Sequence, residues 1–180
     1  MRKIITSTYI TLDGEIESPH IWSTPYFNEE AGQFAQEQLF ASDALLMGRR
    51  TYDGFSSTWP SMSDPGGFAD RMNTMPKYVV STTLEKADWT NTTIISDNVV
   101  ERVRELKEQP GQDILMYGHG PVAATLMEHG LLDEVRLWMI PVFHGSGVTI
   151  FREGMKGEFD LADVKTLKSG TVILSYTAKR

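Results

Sequence analysis

The chain has 180 residues, 41% hydrophobic and 23% charged, which suits one globular domain over residues 1–180. It carries no cysteine, which excludes disulfides, thiolate metal sites and a cysteine nucleophile and is compatible with a reducing compartment. The net charge of −7 and the scattered basic residues argue against a nucleic-acid partner, and no run approaches the roughly 20 apolar residues that span a bilayer.

Met1-Arg2-Lys3 has the basic start of an export signal, but Thr6, Ser7, Thr8, Thr11 and Asp13 break the apolar run, so a cytoplasmic location is expected. Residues 3–12, rich in Ile, Thr and Tyr, predict a strand ended by an Asp13-Gly14 turn. Residues 25–42 predict a helix, with Phe27, Ala31, Phe34, Ala35 and Leu39 at helical spacing, Thr24 as N-cap and Pro25 in its first turn. Ala44-Leu45-Leu46-Met47 is a continuous apolar run between Asp43 and Gly48, the pattern of a strand buried on both faces. Tyr78-Val79-Val80, Thr93-Ile94-Ile95 and Ile114-Leu115-Met116-Tyr117 repeat it. Helices are predicted over 99–109, stopped by Pro110-Gly111, and over 121–129, stopped by Gly130. From Asp133 the pattern changes to strands at 134–142, 159–168 and 171–177. Gly145-Ser146-Gly147 reads as a turn and Ser169-Gly170 as a two-residue hairpin signal. Strands alternating with helices, then antiparallel strands, predict an α/β fold with a mixed sheet.

Two junctions carry the chemistry. Leu46-Met47-Gly48-Arg49-Arg50-Thr51 and Met116-Tyr117-Gly118-His119-Gly120-Pro121-Val122 each run from a buried strand through glycine into a helix start. Amides at a helix start are unpaired and carry the positive end of the dipole, and glycine lets a phosphate approach them. Neither junction is the G-x-G-x-x-G fingerprint or the triphosphate loop ending in Gly-Lys-Ser/Thr, and glycines after strands also serve simply to turn the chain. His20, His119, His129 and His144 show no metal-ligand spacing, so no metal site is predicted.

These residues resemble the dihydrofolate reductase-like superfamily, closest to stand-alone proteins related to the C-terminal reductase domain of the bifunctional riboflavin-biosynthesis deaminase/reductase. The likeness rests on Thr11-Leu12-Asp13-Gly14, on Ser42 to Tyr52 with its Met47-Gly48-Arg49-Arg50-Thr51 centre, and on Pro76-Lys77-Tyr78-Val79-Val80-Ser81. Gly118-His119-Gly120, Gly130-Leu131-Leu132-Asp133-Glu134-Val135 and Pro141-Val142-Phe143-His144-Gly145-Ser146-Gly147 complete it, in order and nearly end to end. The resemblance implies a three-layer α/β fold with a mostly parallel central sheet and a C-terminal antiparallel hairpin. It implies an NADPH-dependent reductase of a pteridine- or pyrimidine-like molecule, resembling 5-amino-6-(5-phosphoribosylamino)uracil reductase. It also implies a homodimer, compatible with hairpin strands that need partners.

Carried over by position, Gly48, Arg49, Arg50 and Thr51 match the first cofactor loop. Arg49 would contact the extra phosphate that distinguishes NADPH, with Ser81 and Thr82 as strand-end hydroxyls for the same phosphate. Gly118, His119, Gly120, Pro121 and Val122 match the second loop, beside the pyrophosphate and nicotinamide. Trp22, Tyr52 and Trp59 are aromatic candidates for the walls of a planar substrate site. A proton for the reduced ring would come from Asp13, from a glutamate of the first helix such as Glu30, or from ordered water. Asp13 before glycine equally suits a turn. Two departures stand out. The stretch Glu29, Glu30, Gly32, Gln33 offers no unambiguous match to the pocket carboxylate of folate reductases, and Tyr117 stands where riboflavin-pathway reductases carry a glutamate. Dihydrofolate reduction proper and a catalytically inert NADPH-binding module are therefore the alternative readings.

Overall fold

In a computed structural model that describes residues 1–180, β1 (Ile4–Thr11) is the inner strand around which the sheet is built. Its Ile- and Thr-rich run is buried on both faces, as a strand flanked by β5 (Asp113–Tyr117) and β6 (Glu134–Ile140) must be. With β2 (Ser42–Gly48), β3 (Lys77–Val80), β4 (Thr92–Ile95), β7 (Phe159–Thr166) and β8 (Val172–Ala178), the spatial order is β4-β3-β2-β5-β1-β6-β8-β7. The pairs from β4 to β6 are parallel, whereas β6–β8 and β7–β8 are antiparallel. The expected mixed, mostly parallel sheet with a C-terminal antiparallel hairpin is present.

Helices cover both faces. On one side α5 (Val99–Glu108) and α6 (Pro121–Glu128) bury Val103, Leu106, Ala123 and Leu126 against Ile4, Ala44, Leu46 and Ile114. On the other lie α2 (Glu29–Phe40), α3 (Arg49–Thr58) and α4 (Phe68–Thr74), preceded by the single turn α1 (His20–Ser23). There Tyr52, Met72 and Trp89 meet Ile5, Leu45, Met47 and Leu115. The alternation of neighbouring strand residues between the two clusters is the period-two rule of a pleated strand. No helix is long and apolar enough to cross a membrane.

Buried charges stitch the edges. Asp133 accepts from the Ile4 amide at 2.8 Å and pairs with Lys107 and Arg180, while Lys107 Nζ also donates to the Leu131 carbonyl at 2.8 Å. Lys77 Nζ donates to the carbonyls of Asn73, Met75 and Thr90 at 2.8–2.9 Å, and burial lowers its pKa to about 8.

Three boundaries differ from expectation. The helix predicted over 25–42 begins later. Thr24 to Tyr26 form a short 3-10 turn, and Phe27 is extended. Asn28 then caps α2 by accepting from the Ala31 amide at 2.9 Å, whereas the Thr24 hydroxyl is used on the His20 carbonyl. The hairpin turn holds three residues, because Leu167 N–H still pairs with the Thr171 carbonyl at 2.9 Å. Gly170 supplies the φ of +94° that such a loop requires. Finally, α1 and α4 carried too few periodic apolar residues to be predicted.

Candidate functional site

Strands β2, β5 and β1 end side by side, and a cleft of about 2150 Å³ opens there between α2 and α3. Ligands of open α/β sheets sit at this carboxyl edge. Drug-sized pockets run to roughly 300–1,000 Å³, so the cleft has room for a dinucleotide and a second small molecule.

Both predicted loops line it. Gly48 caps α3 and Gly120 caps α6, each with extended backbone and no side-chain cap, so two helix starts present uncapped amides to one space. A Cβ on Gly120 would meet no atom within 4 Å, so that backbone is bare. Gly118, at φ +85°, turns the chain out of β5 in a conformation that favours glycine. Thr51, Pro121 and Val122 are on the same wall.

Arg49 is positioned before any ligand arrives. Its Nε donates to Asp53 at 2.9 and 3.0 Å and its Nη1 to Thr83 Oγ1 at 3.1 Å. Arg50 instead reaches Glu17 at 2.6 Å with its side chain 83% exposed, a solvated pair on the rim. Ser81 does not line the cleft; its Oγ accepts from the amides of Thr83 and Leu84 at 3.2 and 3.1 Å and so shapes the turn. Thr82 is exposed off the wall, and Thr83 is the hydroxyl that meets Arg49.

His119 is 3% exposed, with Nδ1 3.4 Å from Thr6 Oγ1. Burial, and then the charge of Arg152, lower its pKa to about 4, so the ring is neutral at physiological pH.

Four residues proposed around the substrate stand elsewhere. Tyr52 is in the core, its hydroxyl 3.4 Å from the Trp89 amide. Trp22 is buried in α1, away from the cleft wall. Glu30 accepts from the Lys168 amide at 2.9 Å and ties α2 to the hairpin, because the helical turn of about 100° per residue puts Glu29, Gly32 and Gln33 on the cleft face instead. Asp13 accepts from the Thr11 hydroxyl and from the Gly145 and His144 amides, the latter two at 2.8 and 3.2 Å. Those bonds, Thr11 first, lower its pKa to about 2, so at neutral pH it is a loop-holding carboxylate with no proton to give. Trp59 does line the cleft, edge-on to Phe55 at 6.4 Å.

Other cleft residues went unassigned in the sequence. Ser7 Oγ accepts from Gln38 Nε2 at 3.0 Å and from Trp138 Nε1 at 2.9 Å, a buried polar floor. Thr8 Oγ1 and the Tyr117 hydroxyl are buried without a partner, as is Arg152 Nε. Tyr117 packs on Phe55 at 5.4 Å, and burial, then Tyr9, push its pKa up, so the phenol stays protonated. Tyr117 was visible only as a departure from a motif, and Arg152 belongs to no spacing pattern.

Known proteins agree with this architecture. YyaP of Bacillus subtilis (strain 168), an uncharacterized protein, is 30% identical over 179 residues, covering 97% of this chain and 94% of its own. A Shewanella sp. PV-4 protein ascribed to riboflavin biosynthesis superposes with a TM-score of 0.77 at 22% identity, covering 100% of both chains. The Thermotoga maritima diaminohydroxyphosphoribosylaminopyrimidine deaminase/5-amino-6-(5-phosphoribosylamino)uracil reductase superposes with a TM-score of 0.70 at 15% identity, over 99% of this chain and 57% of that one. The family model of the RibD C-terminal domain matches residues 2–173, and the chain belongs to that family.

Proposed function

We propose that the protein is an NADPH-dependent reductase of a pteridine- or pyrimidine-like ring. The observation that carries this reading is the convergence of two uncapped helix starts, at Gly48 and Gly120, on one cleft with Arg49 and Thr83 at its edge. The residues present fit a phosphorylated dinucleotide: bare amides for the pyrophosphate, and a guanidinium beside a hydroxyl for a dianionic ribose phosphate. Membership of the RibD C-terminal domain family and the reductase named in the Thermotoga protein support oxidoreductase chemistry.

When bound, the dinucleotide supplies the hydride. The chain's own task is to align two rings and exclude water. Phe55 and Trp59 form an apolar wall for a flat ring, and Tyr117 offers a protonated hydroxyl near it. The Ser7–Gln38–Trp138 floor fixes the side of the cleft opposite the cofactor loops. A homodimer accords with the exposed Leu161 and Val164 of β7, at the edge of the sheet.

The test follows NADPH absorbance in the presence of candidate pteridines and pyrimidines. Oxidation that depends on one ring supports the reading. Cofactor binding without turnover on any ring favours the inert module, and absence of NADPH affinity overturns both.

A further inference from the structure

The three arginines of the cleft are not equivalent. Arg49 is held by Asp53 and Arg50 by Glu17, whereas Arg152, in the connection from β6 to β7, has its Nε shut off from solvent with no hydrogen-bond partner. Burying part of a cation without an anion is costly, and such a group stays when something outside the chain completes it. Its surroundings say what. Arg152 lies close enough to His119 for its charge to be felt there, and His119 is the middle residue of the bare Gly118–Gly120 loop that starts α6. His119, 3% exposed, adds no negative charge.

We propose that Arg152 and the Gly118–Gly120 amides form a phosphoryl-binding subsite, distinct from Arg49, that grips the pyrophosphate of the dinucleotide. The occupant rests on the cofactor reading above; the subsite itself rests on the unpaired guanidinium facing uncapped backbone. The connection that carries Arg152 is anchored on the turn after β1, where Ile150 N–H donates to the Gly14 carbonyl at 2.8 Å and His144 meets Glu15 at 2.6 Å. The cation is therefore held in place rather than swinging free.

Calorimetric titration of the full chain and of Arg152→Gln and Arg152→Lys with NADPH, NADH and inorganic pyrophosphate tests it. The subsite predicts that Arg152→Gln weakens NADPH and NADH alike, by about 10- to 100-fold, the scale of a lost charge-assisted hydrogen bond, while Arg152→Lys recovers part of the loss. Thermal stability should hold or rise in Arg152→Gln, since no partner in the chain is lost; a clear fall would give Arg152 a structural role and overturn the proposal. If both dinucleotides bind the variant as before, but inorganic phosphate no longer binds the NADP-saturated protein, the subsite stands and its phosphoryl group comes from the substrate. Unchanged binding of every probe overturns it. Pyrophosphate bound through Arg152 by a chain with no NADPH affinity would keep the subsite and remove the reductase reading.

Discussion

Replacing Tyr117 by Phe removes one atom, the hydroxyl oxygen, and leaves the ring against Phe55 at 5.4 Å. That oxygen is buried and has no partner in the folded chain, although water satisfies it in the unfolded one. A buried hydroxyl without a hydrogen bond costs about 1–3 kcal/mol. The variant should therefore be more stable by about 1–2 kcal/mol once slightly looser packing is allowed for, and in a chain of this length that raises Tm by about 3–6 °C. Differential scanning calorimetry of the two proteins without ligand reads the change. The same substitution should lower the catalytic efficiency on a responsive ring by about tenfold or more, because a hydrogen bond to the ligand is lost. Stability and activity moving in opposite directions identify a group kept for a ligand. A Tm that falls by about 2 °C or more would mean that the hydroxyl is bonded in the folded chain, and the reasoning would fail.

The remaining predictions concern pH, a glycine and the cofactor. An unfolded imidazole titrates near pH 6.5 and His119 near pH 4, so between those values the unfolded state binds the extra proton and stability falls on acidification, by roughly 3 kcal/mol in all. Asp13 acts below that window and His144, raised by Glu15, above it, so in denaturant melts His119→Gln should flatten the slope between about pH 4 and 6.5. Gly147→Ala would set a Cβ 2.2 Å from Glu15 Oε1 at a φ of +99° and expel the carboxylate that holds His144. It should cost about 2 kcal/mol or more in urea unfolding, against about 1 kcal/mol for Gly154→Ala, at φ +80° in open space; equal costs would contradict the contact. Arg49→Ala should weaken NADPH about tenfold or more and leave NADH unchanged, read by calorimetry.

Much of this fold was legible because its parallel strands are buried on both faces. Runs such as Ala44 to Met47 and Ile114 to Met116 must then be continuously apolar, a signal that survives without any structure. The two cofactor junctions were legible for a related reason, since a strand, a glycine and a helix start in succession define where a backbone can meet a phosphate. What stayed hidden depends on rotation and on distant partners. Glu29 and Glu30 are adjacent in sequence, yet one faces the cleft and the other the Lys168 amide, which only the phase of α2 decides. Asp13 stood in the expected loop, but its partners Gly145 and His144 are more than 130 residues away, and they turn a candidate donor into a clamp. Tyr52 and Trp22 looked like stacking surfaces because aromatic rings serve cores and sites alike. Arg152 has meaning only beside His119, across three strands and a connection.

The most direct measurement is a paired calorimetric titration of the intact chain with NADPH and NADH. Convergent helix starts with Arg49 at their edge predict binding of both, with NADPH preferred by about tenfold or more through its additional phosphate. No heat with either dinucleotide, or equal affinity for the two, would contradict the account of the cleft.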